Sequence, residues 1–163
     1  MRTIIINLIV LFNFILQSTL FQWIKIYGVV PNTSLILVIS FAIYSGKNEG
    51  AVIGFFIGIL QDIIFGRTIG LSALILMIVG YLVGLMDQKI FKDSLFIPFI
   101  LTALTTVFYE MTNFLLIFLL GHKIELLNII KKMLITEVIY NSVVSIIVYY
   151  YISKLFKSNL MGR

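Results

Sequence analysis

An all-α integral membrane protein, built as a six-helix transmembrane bundle in one domain over residues 1–163, is the fold class this sequence predicts. Three observations carry that reading. The chain is 61% hydrophobic and only 12% charged, against about 45–50% and about 25% in soluble domains. Its mean hydropathy is +1.12, so too little polar surface is left over to face water. Six apolar segments, at about 4–24, 30–45, 50–65, 70–86, 95–120 and 134–153, are separated by short polar breaks, and about 17–25 apolar residues suffice to cross a bilayer as a helix.

The first segment opens Met1-Arg2-Thr3 and stays apolar to Trp23. That exceeds the roughly 7–15 residues of a signal-peptide core, and no small-x-small cleavage site follows, so the segment reads as a retained span. The second opens Pro31-Asn32-Thr33-Ser34. Proline suits a first helical turn, and Asn32, Thr33 or Ser34 can cap it. This segment is short, and a re-entrant path leaving five spans is the rival to a full crossing. Gly46-Lys47-Asn48-Glu49 leaves room only for a tight turn, which makes segments two and three an antiparallel hairpin.

Segment three carries Gly50, Gly54, Gly58, Asp62 and Gly66, each four residues after the last. Residues four apart share one helix face, so a groove of bare backbone ends in a carboxylate. In lipid such a groove lets another helix approach closely. Gly80 and Gly84 repeat the device in segment four. The face serves either packing within the bundle or docking of a partner. Asp62 lies one turn before Gly66, as an end-of-helix carboxylate facing Arg67 or water, or as a buried polar anchor at a helix contact.

Segment five is long enough to tilt and carries a polar stripe of Thr102, Thr105, Thr106, Tyr109, Glu110 and Asn113. Glu110 stands ten residues before Leu120, roughly 15 Å inside the helix end at 1.5 Å per residue. Segment six answers with Glu137, Asn141 and Ser145, with Tyr140 beside them. Polar stripes in lipid face one another, a cavity or a partner. Thr106, Tyr109, Glu110, Asn113, Tyr140 and Asn141 are therefore predicted to form one buried polar network, with Asn141 and Tyr140 as donors to Glu110. Between the two segments, Ile124, Leu127, Ile130 and Met133 recur at helical spacing opposite Lys123 and Lys131. That pattern predicts a short interfacial helix over about 121–133 before the last span.

Charge sets orientation and excludes whole classes of function. With the N-terminus inside, the inner ends hold Arg2, Lys47, Lys89, Lys92, Lys154, Lys157 and Arg163, and the outer loops hold Lys25, Arg67, Lys123, Lys131 and Lys132. The bias favours both termini in the cytoplasm. The net charge of +5 suits anionic lipid, and no soluble basic module points to nucleic acid. With no cysteine there is no disulfide and no thiolate nucleophile. The single histidine, His122, stands at a segment end, and no catalytic or metal motif is present. No catalytic residue, metal site or cofactor is expected.

Pro31-Asn32, Leu35-Ile36-Leu37, the spaced glycines, Asp62, Gly70-Leu71-Ser72-Ala73 and Gly80-Tyr81-Leu82-Val83-Gly84 together resemble the rod shape-determining protein MreD family. Tyr109-Glu110 and Tyr140-Asn141 fit the same pattern, and the resemblance covers nearly the whole chain. Glu137 departs from the family pattern, where proline is common nearby, and no role is carried over to it. The resemblance implies a non-enzymatic subunit of the bacterial cell-elongation complex in the inner (cytoplasmic) membrane. Its implied partners are MreC and, directly or indirectly, MreB filaments and the elongation-specific glycosyltransferase and transpeptidase. The family is also similar in fold to the S components of energy-coupling-factor transporters, which makes a vitamin-binding transporter subunit the alternative. S components present alanines four apart on the first span, and Ile4 to Trp23 contains none.

Overall fold

A computed structural model describes residues 2–66, 69–86, 96–119 and 127–158. The described residues form six α-helices and one 3-10 turn, with a single isolated β-bridge and no strand. The helices are α1 (Arg2–Ser18), α2 (Thr33–Ser45), α3 (Lys47–Phe65), α4 (Leu71–Gly84), α5 (Phe96–Leu119) and α6 (Leu127–Lys157). Three stretches are long and apolar enough to cross a membrane: Lys47–Phe65, Phe96–Leu116 and Leu134–Lys157. The other three helices are apolar but shorter.

Element boundaries depart from the sequence reading where local hydrogen bonding decides them. The first helix ends at Ser18 rather than near residue 24, followed by the 3-10 turn Leu20–Gln22. Ser18 Oγ donates to the Phe14 carbonyl (2.7 Å) and Thr19 Oγ1 to that of Ile15 (2.6 Å). Hydroxyls bonded back in this way compete with continuation of the helix. α3 starts at Lys47, so Gly46 alone turns the chain from α2 into α3, and its φ of +84° is open to glycine at little cost. At the other end, residues 127–133 are the first turns of the unbroken α6. A separate interfacial helix ending at Met133 is therefore not formed, because the helical hydrogen bonding runs on into the last long helix. The expected positions 121–126 lie outside the described residues.

α2 is the centre of the bundle. Its residues from Thr33 to Ile43 are all buried, and α1, α3, α4, α5 and α6 all pack against it. Polar contacts fix the directions of the helices around it. Arg2 of α1 reaches Ser45 and Asn13 of α1 reaches Ser34, so α1 and α2 are antiparallel. Asn32 meets Asn141 and Tyr44 meets Ser153, so α2 and α6 run the same way. Arg2, the α2–α3 turn, the end of α4 and the end of α6 thereby share one end of the bundle. There Arg2 pairs with Glu49 and lies over the Phe156 ring, which stacks on Tyr44.

The outside of the bundle is apolar. Leu8, Phe12 and Ile15 on α1, Phe56 and Ile63 on α3, Leu104 and Met111 on α5, and Ile139 and Ile147 on α6 are all exposed. A soluble monomer rarely exposes apolar patches of more than a few hundred Å², whereas hydrocarbon solvates such a surface. Asn13, Gln17, Ser34, Asp62, Thr106 and Asn141 are buried inside it.

The tightest packing joins α3 to α4, which run antiparallel. A Cβ added to Gly50 would sit 2.6 Å from the Gly80 carbonyl oxygen, and one on Gly58 would sit 2.6 Å from the Ala73 amide nitrogen. A Cβ on Gly84 would sit 2.6 Å from the Gly46 carbonyl carbon, and one on Gly54 would be 2.7 Å from that of Leu76. Backbone cannot yield to a side chain as a rotamer can. Overpacking a core typically costs about 1–3 kcal/mol, and Gly58→Leu should reach or exceed that range. Its thermal midpoint in detergent should fall, while Phe56→Leu, on the exposed face of the same helix, should leave the midpoint near wild type. An unchanged midpoint for Gly58→Leu would mean that α3 and α4 do not touch there.

Candidate functional site

The glycine face is occupied within the chain. Gly50, Gly54, Gly58, Gly80 and Gly84 all lie where α3 meets α4, so among the described residues this face serves helix packing. Gly66 shares the spacing but not the contact. A Cβ there would meet the backbone of Asp62 in its own helix, and its amide closes the last turn by donating to the Asp62 carbonyl at 2.9 Å.

Asp62 ends the glycine face and begins the first polar centre. Its side chain is 2% exposed. One carboxylate oxygen accepts from the amides of Gly70 (2.8 Å) and Ala73 (3.2 Å), and the other from Ser72 (3.1 Å). Gly70, the N-cap of α4, has no side chain to cap with, so Asp62 does it from across the turn. Placing a negative charge on a helix N-terminus is favourable, and hydrogen bonds to a charged group contribute about 1.5–3 kcal/mol each. The anticipated neighbour Arg67 lies outside the described residues. Tyr109 of α5 joins this centre, its hydroxyl 3.1 Å from Ser72 Oγ and accepting from Gln61 Nε2 at 3.2 Å. Three helices are tied there.

The second centre surrounds the N-terminus of α2. Asn32 caps it, its Oδ1 accepting from the Leu35 amide at 3.1 Å, while its own amide donates to Asn141 Oδ1 at 2.8 Å. Asn141 is fully buried near the middle of α6. Its Nδ2 donates to Thr106 Oγ1 of α5 (3.3 Å) and, at 3.5 Å, to Glu137. From α1, Asn13 Nδ2 donates to Ser34 Oγ at 3.5 Å, and Ser34 donates in turn to Gln17 Oε1 at 3.1 Å. Four helices thus meet at one buried helix start. Thr33 Oγ1 and Thr102 Oγ1 are buried nearby in sequence without a hydrogen-bond partner among the described residues.

One predicted network is therefore two. Thr106 and Asn141 belong to the α2 centre, and Tyr109 to the Asp62 centre. Tyr140 donates to neither, because its hydroxyl bonds the Ile24 carbonyl at 2.9 Å in the loop after α1. The donors expected for Glu110 are engaged elsewhere. Glu110 and Asn113 are half-buried, and Glu110 and Glu137 each stand one turn along their helices from the Thr106–Asn141 hydrogen bond. No ion pair to either forms among the described residues.

Several contributors escaped the sequence reading. Asn13 and Gln17 stand four apart on α1, the spacing that exposed the other stripes, and would have been found by it. Glu137 was seen in its stripe but given no role. Asp62 as a cap for a helix starting nine residues later carries no local signature. An apolar groove of about 760 Å³ also runs between α1 and α3, lined by Ile6, Val10, Val52, Ile53, Phe56 and Leu60 with Arg2 and Glu49 at one end.

The chain matches the family described as rod shape-determining protein MreD over residues 1–159, and it belongs to that family. Its role is accordingly in rod shape determination, and it is a membrane protein. No curated protein and no solved structure matches the chain.

Two substitutions test the α2 centre and the acid beside it. Asn141→Leu strips partners from the Asn32 amide and Thr106, at about 1–3 kcal/mol for each buried group left unpaired, and should lower the thermal midpoint clearly. Glu110→Gln keeps shape and hydrogen-bonding capacity and should leave the midpoint near wild type. A lower midpoint for the glutamine would mean that the charge itself holds the fold.

Proposed function

We propose that this member of the MreD family is a non-enzymatic scaffold of the cell-elongation complex. It binds MreC and links MreB filaments to the elongation-specific glycosyltransferase and transpeptidase. In this reading the chain crosses the bacterial cytoplasmic membrane six times, and both termini face the cytoplasm. The observation that carries it is the family match along almost the full chain. The arrangement of the bundle supports it: the described polar centres hold helices together, and the outer surface is apolar.

Scaffold work asks for a rigid body with an available surface. The interlocked backbones of α3 and α4 and the two polar centres supply rigidity. The glycine face is taken, so an apolar partner helix would have to use another one, and the α1–α3 groove is the recess shaped for it. The alternative of a vitamin-binding S component gains no support from solved structures, and no observation here favours it.

Depletion in a rod-shaped host should give rounded, swollen cells with vitamin uptake intact, and purification in mild detergent should co-recover MreC. Normal shape with a new vitamin requirement, or recovery of an ABC-type energising module, would reverse the assignment. The six-crossing topology has its own test, since the chain has no cysteine background. Arg67→Cys should react with an impermeant thiol reagent in intact cells and Lys47→Cys should not. Equal reaction would favour a re-entrant α2.

A further inference from the structure

The loop between α1 and α2 exposes two aromatic side chains at the surface of the bundle. Trp23 is 90% exposed and Tyr27 81%, with Leu20, Ile24 and Ile26 also exposed and Lys25 among them. A water-facing loop has no reason to carry this set. The loop is nonetheless well defined. Ile26 and Val29 exchange both backbone hydrogen bonds, at 3.1 and 2.9 Å, across a two-residue turn in which Tyr27 (φ +51°) and Gly28 (φ +84°) both take positive φ. Val29 is buried, and Tyr140 holds the other arm through the Ile24 carbonyl. The hairpin is pinned to the bundle from within and presents its rings outward.

Depth argues what meets those rings. α1 has 17 residues, about 26 Å at 1.5 Å per residue. The 3-10 turn adds about 6 Å at 2.0 Å per residue. Measured from Arg2 at the opposite end, the chain has then crossed a hydrocarbon core of about 30 Å, and residues 23–29 emerge at headgroup level. The exposed stripe of α1, through Leu8, Leu11, Phe12 and Ile15, leads directly to Leu20 and Trp23. Tryptophan and tyrosine favour that level because each joins an apolar ring to a polar tip, and lysine there reaches phosphate.

We propose that the 23–29 hairpin is a lipid-docking surface, lying in the headgroup layer on the membrane face opposite Arg2. Trp23 and Tyr27 sit at the boundary with the acyl chains, and Lys25 points to the phosphates. This rests on the six-crossing reading above, since it uses α1 as a full crossing.

The chain contains one tryptophan, so its fluorescence reports Trp23 without any substitution. The full chain is reconstituted in phosphatidylethanolamine–phosphatidylglycerol vesicles, and flotation establishes insertion. Lipids brominated near the headgroup end of the acyl chain should quench Trp23 more than lipids brominated near the tail end, and aqueous iodide should quench little. Tyr27→Trp in a Trp23→Phe background should give the same ordering. Strong iodide quenching without bromolipid quenching would place the hairpin in water and overturn the proposal. Protection from both would show a protein contact instead and overturn it equally. Deep bromines quenching best would remove it from the headgroup layer. Failure of the chain to float with the vesicles would overturn the membrane reading itself.

Discussion

The start of α2 is the constraint on which the rest of the structure depends. A helix of 13 residues covers about 20 Å, short of the hydrocarbon core of about 30 Å. Since Ser45 shares a level with Arg2, its other end stops inside the bundle, beside Asn13 and Gln17 of α1 and the middle of α6. A helix start leaves amides without intrahelical partners, and no water is available to them in lipid. The surrounding helices must supply the missing groups. Asn32 caps from within, Asn141 takes the Asn32 amide, and Thr106 and Glu137 hold Asn141 in place. Thr106 of the α5 stripe and Glu137 and Asn141 of the α6 stripe thus serve the start of a short central helix.

The same logic governs α4, another short helix of 14 residues. Its start is served by Asp62, and its flank is seated on glycines so that two backbones lie in contact. Both short helices therefore hang on longer neighbours, α4 on α3 and α2 on α6. The longer helices face outward with apolar side chains and inward with the groups that the short ones need. In such a bundle a single polar substitution partner does the work that a water shell does in a soluble protein.

Much of this was legible in the sequence, and the reasons it stopped being legible are physical. Glycines four apart declare a bare helix face, but only the structure says what lies on it. That face meets α4, so the partner-docking alternative has no room there. Polar stripes on α5 and α6 were visible from steps of three and four. Their division was not, because a stripe gives the face and not the neighbour opposite each residue: Tyr109 turned to Ser72 and Gln61, and Tyr140 turned to Ile24. The end of α1 at Ser18 was missed because composition stays apolar to Trp23 while hydroxyl hydrogen bonds end the helix. Over residues 127–133 the expected interfacial helix is instead the start of α6, because amphipathic spacing is indifferent to whether the helix continues.

Glu110 and Glu137 are what a purely internal account leaves over. Asp62 has three amides and a helix start to hold its charge. The described hydrogen bonds give the pair between α5 and α6 a single long one, from Asn141 to Glu137 at 3.5 Å. Carboxylates at this depth are costly and usually have a function, and departures from internal consistency cluster at functional sites. The two acids lie one turn from the α2 centre, where Thr106 and Asn141 hold three helices together. A hydrogen-bond donor brought to that pair would act on α2, α5 and α6 at once. The part of the bundle least satisfied on its own is thus also the part through which an outside contact would reach the most helices.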